Sequence, residues 1–294
     1  MKEFWKSFGN FWMCVWVLFL SIALQLVGGL ATGFVISFKV GMDAAAQGIT
    51  DTNVITQRAV EASTSATSIA ILVVHLMILL VFGLWYGLNC RKKLERASVK
   101  EVLKPKNIGK VAFLAVGLCF FVNFALDVVL LVIPDSIVEQ YTAMMESAAI
   151  GQSLFTTIAA VCIAPIGEEL VFRGTALYYS EKMITSMTNR KAAFWLANTV
   201  QALGFGIFHL NFVQGLYAFV IGLVLGYLAR KYKSVIPCII AHMVINATST
   251  FIVTPLSTLV PINTIMCGIL AIIFAVVVAW GVKVNGKVEL DETA

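Results

Sequence analysis

Long apolar runs recur along this sequence and leave its fold few options. Eight stretches are mostly apolar over about twenty residues: Phe11–Phe38, Ser68–Asn89, Val111–Ile133, Leu154–Leu177, Ala193–Leu210, Phe212–Ala229, Val235–Val253 and Ile262–Val282. That is the length a helix needs to cross the hydrocarbon of a bilayer. In hydrocarbon every backbone N–H and C=O must find a partner within the chain, so such runs fold as helices. Charged residues make up 13% of the chain and its mean hydropathy is +0.90, whereas soluble domains carry about 25% charge. The expectation is an all-α, polytopic membrane protein, one domain over residues 1–294, with about eight transmembrane helices. The first run is too long for a cleavable leader and lacks a small-residue cleavage site, so it reads as a signal anchor.

Orientation follows from Lys and Arg in the short loops. Arg91, Lys92, Lys93, Arg96, Lys100, Lys104, Lys106 and Lys110 separate the second and third runs. Lys182, Arg190 and Lys191 follow the fourth run, and Arg230, Lys231 and Lys233 follow the sixth. The termini add Lys2, Lys6, Lys283 and Lys287, and only Lys39 and Arg58 fall on the other side. Both termini are therefore expected on the cytoplasmic side of a cell membrane. The net charge of +5 expresses this asymmetry; no basic stripe interleaved with aromatics marks a nucleic-acid partner. Of the outer segments, the polar loop Gly41–Ala66, rich in Ala, Ser and Thr, is expected to be either disordered or a short amphipathic helix, and Asp135–Ser147 a segment along the outer surface. Six cysteines, Cys14, Cys90, Cys119, Cys162, Cys238 and Cys267, show no metal-ligand spacing and read as small apolar residues. Gly222 and Gly226 form a GxxxG, taken as helix packing rather than dimerisation.

The charges inside the fourth run demand an account. Glu168, Glu169 and Arg173 lie where each ionisable group costs at least about 2.5–3.5 kcal/mol, so function is the default reading. Neighbouring helical residues point about 100° apart, so the two carboxylates cannot share one job. Glu169 and Arg173 stand i,i+4 with the acid first, the favourable order for an ion pair. Glu168 is then the uncommitted carboxylate, with the character of a general base. Two further polar sets sit on later runs: Phe205 one turn before His209, and His242 one turn before Asn246. His242 and Asn246 share a helix face and offer two donors toward one point, which suits an oxyanion hole. Cross-helix hydrogen bonds in membranes average only about 0.6 kcal/mol, a weak reason to bury this set as mere crosslinks. His75, alone in the second run, reads as a structural imidazole bonded to a neighbouring helix. Asn123 with Asp127, and Asn198 with Gln201, stand evenly between lining the same cavity and bonding across helices. At about 1.5 Å per residue, Glu168 lies about 21 Å below the outer end of its helix and His242 about 12 Å above the inner face. His209 falls about 27 Å from that face, which agrees only if residues 178–195 leave the bilayer or the fifth helix tilts.

In this order on separate helices, EExxxR (Glu168, Glu169, Arg173), FxxxH (Phe205, His209) and HxxxN (His242, Asn246) resemble the CPBP family. Its members include the CAAX-processing type II endopeptidases and the bacterial Abi or bacteriocin-processing homologues. The likeness covers about residues 154–250, the expected catalytic core helices. It implies a glutamic intramembrane protease without cofactor, in which Glu168 and His209 activate a water while His242 and Asn246 stabilise the oxyanion. Glu169, Arg173 and Phe205 fall at supporting positions. The implied substrate is a membrane-associated peptide or protein, either a CAAX-type tail or a leader or signalling peptide. Were zinc used instead, Glu168, His209 and His242 would be its ligands, although no HExxH is present. The alternative from another class is a non-catalytic scaffold or bacteriocin immunity protein using the same cavity. A transporter is a third choice, without an evident inverted repeat.

Overall fold

A computed structural model describes residues 2–95, 97–148, 150–151, 154–185, 188–260 and 262–288. Arg96 of the basic loop lies outside them, as do the side chains of Lys2, Arg190 and Lys191. The described residues are predominantly helical and form no strand. Helix α1 is Lys2–Ala46; α2 is Thr52–Trp85 and runs on through a π-helical turn, Tyr86–Cys90, to Arg91–Leu94. Helix α3 is Pro105–Val129 and α4 is Asp135–Ala148. Helix α5, Leu154–Thr185, is a continuous rod interrupted by two π-helical segments, Ala159–Ile163 and Leu170–Ala176. Helix α6 is Arg190–Phe208 and α7 is Phe212–Tyr232. Helix α8 is Ile236–Leu259, and α9 is Thr264–Asn285.

Among the described residues seven helices are long and apolar enough to cross a membrane: Trp5–Ala46, Ile69–Leu94, Pro105–Val132, Leu154–Thr185, Phe212–Tyr232, Ile236–Leu259 and Thr264–Asn285. The chain is thus an all-α polytopic membrane protein. The eighth expected span, Ala193–Leu210, forms a shorter apolar helix, Ala192–Phe208. Its first turn is fixed by Asn189, whose side chain accepts from the Ala192 N–H, and it stops at His209. There Leu210 turns with φ of 53° before the Asn211 side chain caps α7 by accepting from the Gln214 N–H.

The outer loop expected over Gly41–Ala66 is largely absorbed into helix. The run Ala44–Ala46 favours helix on the α1 side, and the Asp51 cap starts α2 early, so the two helices extend toward each other and leave a turn around Gln47–Asp51. Gly48 takes the positive φ of that turn, 68°, and Asp51 caps α2 by accepting from the Asn53 N–H. The segment expected along the outer surface is α4, whose Tyr141 ring meets Tyr217 of α7 edge-on at 6.5 Å.

Large apolar side chains remain widely exposed, among them Leu88 (81%), Val132 (82%) and Ile265 (78%), as a surface bathed in lipid requires. The interior collects the remaining aliphatic and aromatic residues together with the polar set. Helix α3 packs on α8 and α9, α6 pairs with α7 as a hairpin, and α2 runs along α5. All six cysteines are free thiols; Cys90, Cys119, Cys238 and Cys267 are buried as small hydrophobes, whereas Cys162 is exposed on α5.

Candidate active site

The two adjacent carboxylates of α5 part company as the helical geometry demands. Glu169 and Arg173, both shut away from solvent, form an ion pair with Nη1 2.9 Å from Oε1. The Arg173 guanidinium also lies over the Phe205 ring, 4.4 Å from its centre. That aromatic face compensates charge that would otherwise be stranded in a dry interior. Glu168, 6% exposed, turns to a different neighbourhood, made of imidazoles.

His242 of α8 bridges the two acids. Its Nδ1 is 2.8 Å from Glu169 Oε1 and its Nε2 is 3.8 Å from Glu168 Oε2. A carboxylate already paired with Arg173 can only accept, so Nδ1 carries the proton and Nε2 is turned to Glu168. His209 caps the end of α6, and its Nδ1 is 2.8 Å from the Phe205 carbonyl. A carbonyl only accepts, so that nitrogen is also a donor and Nε2 keeps its lone pair. Phe205 sits between the two histidines, its ring 4.8 Å from His209 and 5.8 Å from His242, edge-on to both. The spacing that places Phe205 one turn behind His209 thus serves as a wedge that orients both imidazoles.

Asn246 lies one turn beyond His242 and donates from Nδ2 to the Ala160 carbonyl at 2.8 Å. Ala160 belongs to the first π-helical segment of α5. Such bulges disturb the regular ladder and leave backbone groups for other partners. One amide N–H of Asn246 is therefore committed to holding α8 on α5, and its second N–H is left for other work. The second π-helical segment begins directly after Glu169 and contains Arg173.

A third imidazole joins the site from a helix where no partner for Glu168 was expected. His75 of α2 places Nε2 3.7 Å from Glu168 Oε1, while its Nδ1 is 2.7 Å from the Ile71 carbonyl of its own helix. The expectation of a structural imidazole bonded to a neighbouring helix is therefore corrected: the bond is to its own helix, and the neighbour it faces is the candidate base. The signal was present, because an ionisable side chain in mid-span is a functional candidate by default. Nothing in the spacing of α2 linked it to Glu168, however.

The other undecided polar residues resolve away from the site. Asn198 donates to the Leu223 carbonyl and Gln201 to the Gly222 carbonyl, stitching α6 to α7. Asn123 bonds the Cys119 carbonyl of its own helix, and Asp127 meets Cys267 of α9. Among the described residues no three His, Cys, Asp or Glu side chains are grouped so as to hold one metal ion.

A protein-family model described as type II CAAX prenyl endopeptidase Rce1-like matches residues 150–248. The chain carries an Rce1-like domain. No curated protein and no solved structure matches the chain. The Rce1-like domain contains Glu168, Glu169, Arg173, Phe205, His209, His242 and Asn246, whereas His75 precedes it. The match supports a hydrolase of the CAAX-protease type, and the long apolar helices make it a multi-pass membrane protein.

Proposed function

We propose that this protein is an intramembrane endopeptidase of the glutamic type, acting in a cell membrane on a membrane-associated peptide or protein. The observation that carries the reading is a buried carboxylate, Glu168, faced by imidazole Nε2 atoms, with an adjacent acid tied to Arg173. In the proposed reaction Glu168, with His209 Nε2 accepting from the same water, removes a proton as the water oxygen bonds to the scissile carbonyl carbon. His242, having taken up a second proton from bulk water before the attack, donates from Nε2 to the oxyanion and keeps that proton through the cycle, its Nδ1–H anchored on Glu169. The second N–H of Asn246 is the other donor. When the C–N bond breaks, the proton held by Glu168 passes to the departing nitrogen, which restores the carboxylate and leaves one acid and one amine. The family description favours a CAAX-type prenylated tail as substrate; a leader or signalling peptide is the other candidate.

Glu168→Gln is expected to abolish cleavage of a farnesylated tail peptide by the purified protein while leaving its melting temperature near that of the parent. General-base help alone contributes about 10²–10⁴ in rate. A variant that cleaves at the parental rate would sink the reading. Activity is also expected to survive exhaustive chelation. Loss restored by zinc would instead make Glu168, His209 and His242 metal ligands.

A further inference from the structure

Helix α2 lies outside the matched domain, yet it delivers a side chain to the candidate base. The approach is built into the packing. Gly167, immediately before Glu168, faces α2 so closely that a Cβ there would sit 3.3 Å from Ile78 Cγ2, 3.6 Å from the Leu79 nitrogen and 3.8 Å from the His75 carbonyl oxygen. Seven residues and nearly two turns further on, Gly174 makes the same approach, with a Cβ position 2.7 Å from the Tyr86 ring. The two glycines that bracket the charged motif thus let α2 lie against α5, and that close contact brings His75 within reach of Glu168.

The imidazole arrives with its orientation set. Ile71 O can only accept, so His75 Nδ1 is the donor and Nε2 presents a lone pair toward Glu168 Oε1. His242 Nε2 lies 3.8 Å from the other oxygen, Oε2. Each oxygen of one carboxylate therefore has its own imidazole, supplied by two different helices, α2 and α8. Two acceptors facing each other at 3.7 Å are a poor match until one of them carries a proton. Glu168 gains that proton each time it acts as a base.

We propose that His75 is a positioning residue for the hydrolysis: it fixes the Glu168 carboxylate through Oε1 and accepts a hydrogen bond from Glu168 in its protonated, post-attack form. The proposal rests on the reading of Glu168 as general base. No bond to His75 forms or breaks in the cycle. The proton taken from water stays on Glu168, shared with Nε2, until the leaving nitrogen takes it. The N-terminal helices are then part of the machinery and not only its membrane frame.

The chain has three histidines, so their ring nitrogens can be told apart one by one in the whole protein in detergent. With ¹⁵N-labelled histidine, Glu168→Gln is expected to shift the His75 Nε2 resonance; an unchanged resonance overturns the proposal. Kinetics on a farnesylated peptide supply a second arm. His75→Ala is expected to lower kcat about 10–100-fold, the scale for removing a partner that holds an active group, with KM within about twofold of the parent. His75→Gln, of similar size, guards against a packing artefact. If Glu168→Gln is inactive while both His75 variants keep the parental kcat, this proposal falls and the protease reading stands. If Glu168→Gln itself stays active, the protease reading falls first. Where neither His75 variant folds, or the peptide is not cleaved, the resonance comparison decides alone.

Discussion

Arg173 shows what one buried side chain has to satisfy. It is 1% exposed, pairs with Glu169 at 2.9 Å and leans on Phe205, and through Glu169 it reaches His242. Removing one partner of a buried pair leaves a charge uncompensated, a loss of about 3–5 kcal/mol, whereas replacing both by apolar groups is often close to neutral. Arg173→Met alone is therefore expected to lower the unfolding midpoint in detergent sharply, and the double variant Arg173→Met with Glu169→Leu to recover most of that stability. Activity should not return with it, because His242 then has no acceptor at Nδ1. Recovery of both would mean that Glu169 does not orient His242. At this scale the sequence was informative: i,i+4 spacing put Glu169 and Arg173 together, and adjacency kept Glu168 apart. Spacing could not reveal the ring stacking of Arg173 on Phe205, whose geometry depends on how α5 and α6 meet.

Among the elements, the α6–α7 hairpin is held by glycines and amides working together. Gly226 leaves the space taken by Asn198 and Gln201: a Cβ on it would collide with Asn198 Oδ1 and come 2.8 Å from Gln201 Nε2. Gly206 and Gly215 meet backbone to backbone, with a Gly206 Cβ position 2.7 Å from the Gly215 oxygen. The GxxxG of Gly222 and Gly226 thus packs α7 on α6 within the chain. Gly226→Ala is expected to displace Asn198 from the Leu223 carbonyl and to destabilise by about 1–3 kcal/mol, as overfilled packing does. Gly33→Ala in α1, where nothing lies within 4 Å, serves as the contrast. Helix propensity there favours alanine by about 0.5–1 kcal/mol. Equal melting temperatures for the two variants would contradict this account of the hairpin.

For the molecule as a whole, basic side chains gather at one end of the bundle. A cleft lined by Lys93, Glu181, Arg230 and Lys233 has Arg173 on its wall, so the ion pair lies toward the basic ends of the helices. By the Lys and Arg bias this end is expected to face the cytoplasm. Reporter fusions at the N- and C-termini should both be protected from reagents added outside intact cells; labelling of either from outside would reverse the orientation. What the sequence determined alone was local or additive: helical class from the length of apolar runs, the Glu169–Arg173 pair from 3.6-residue periodicity, and the order of the motifs along the chain. Helix periodicity says which side chains share a face of one rod, and nothing about which rods touch. The tertiary structure therefore decided that His242 spans both carboxylates, that Asn246 is half committed to Ala160, and that α2 contributes His75. Those outcomes depend on close packing at Gly167 and Gly174, a property of surfaces brought together from distant parts of the chain.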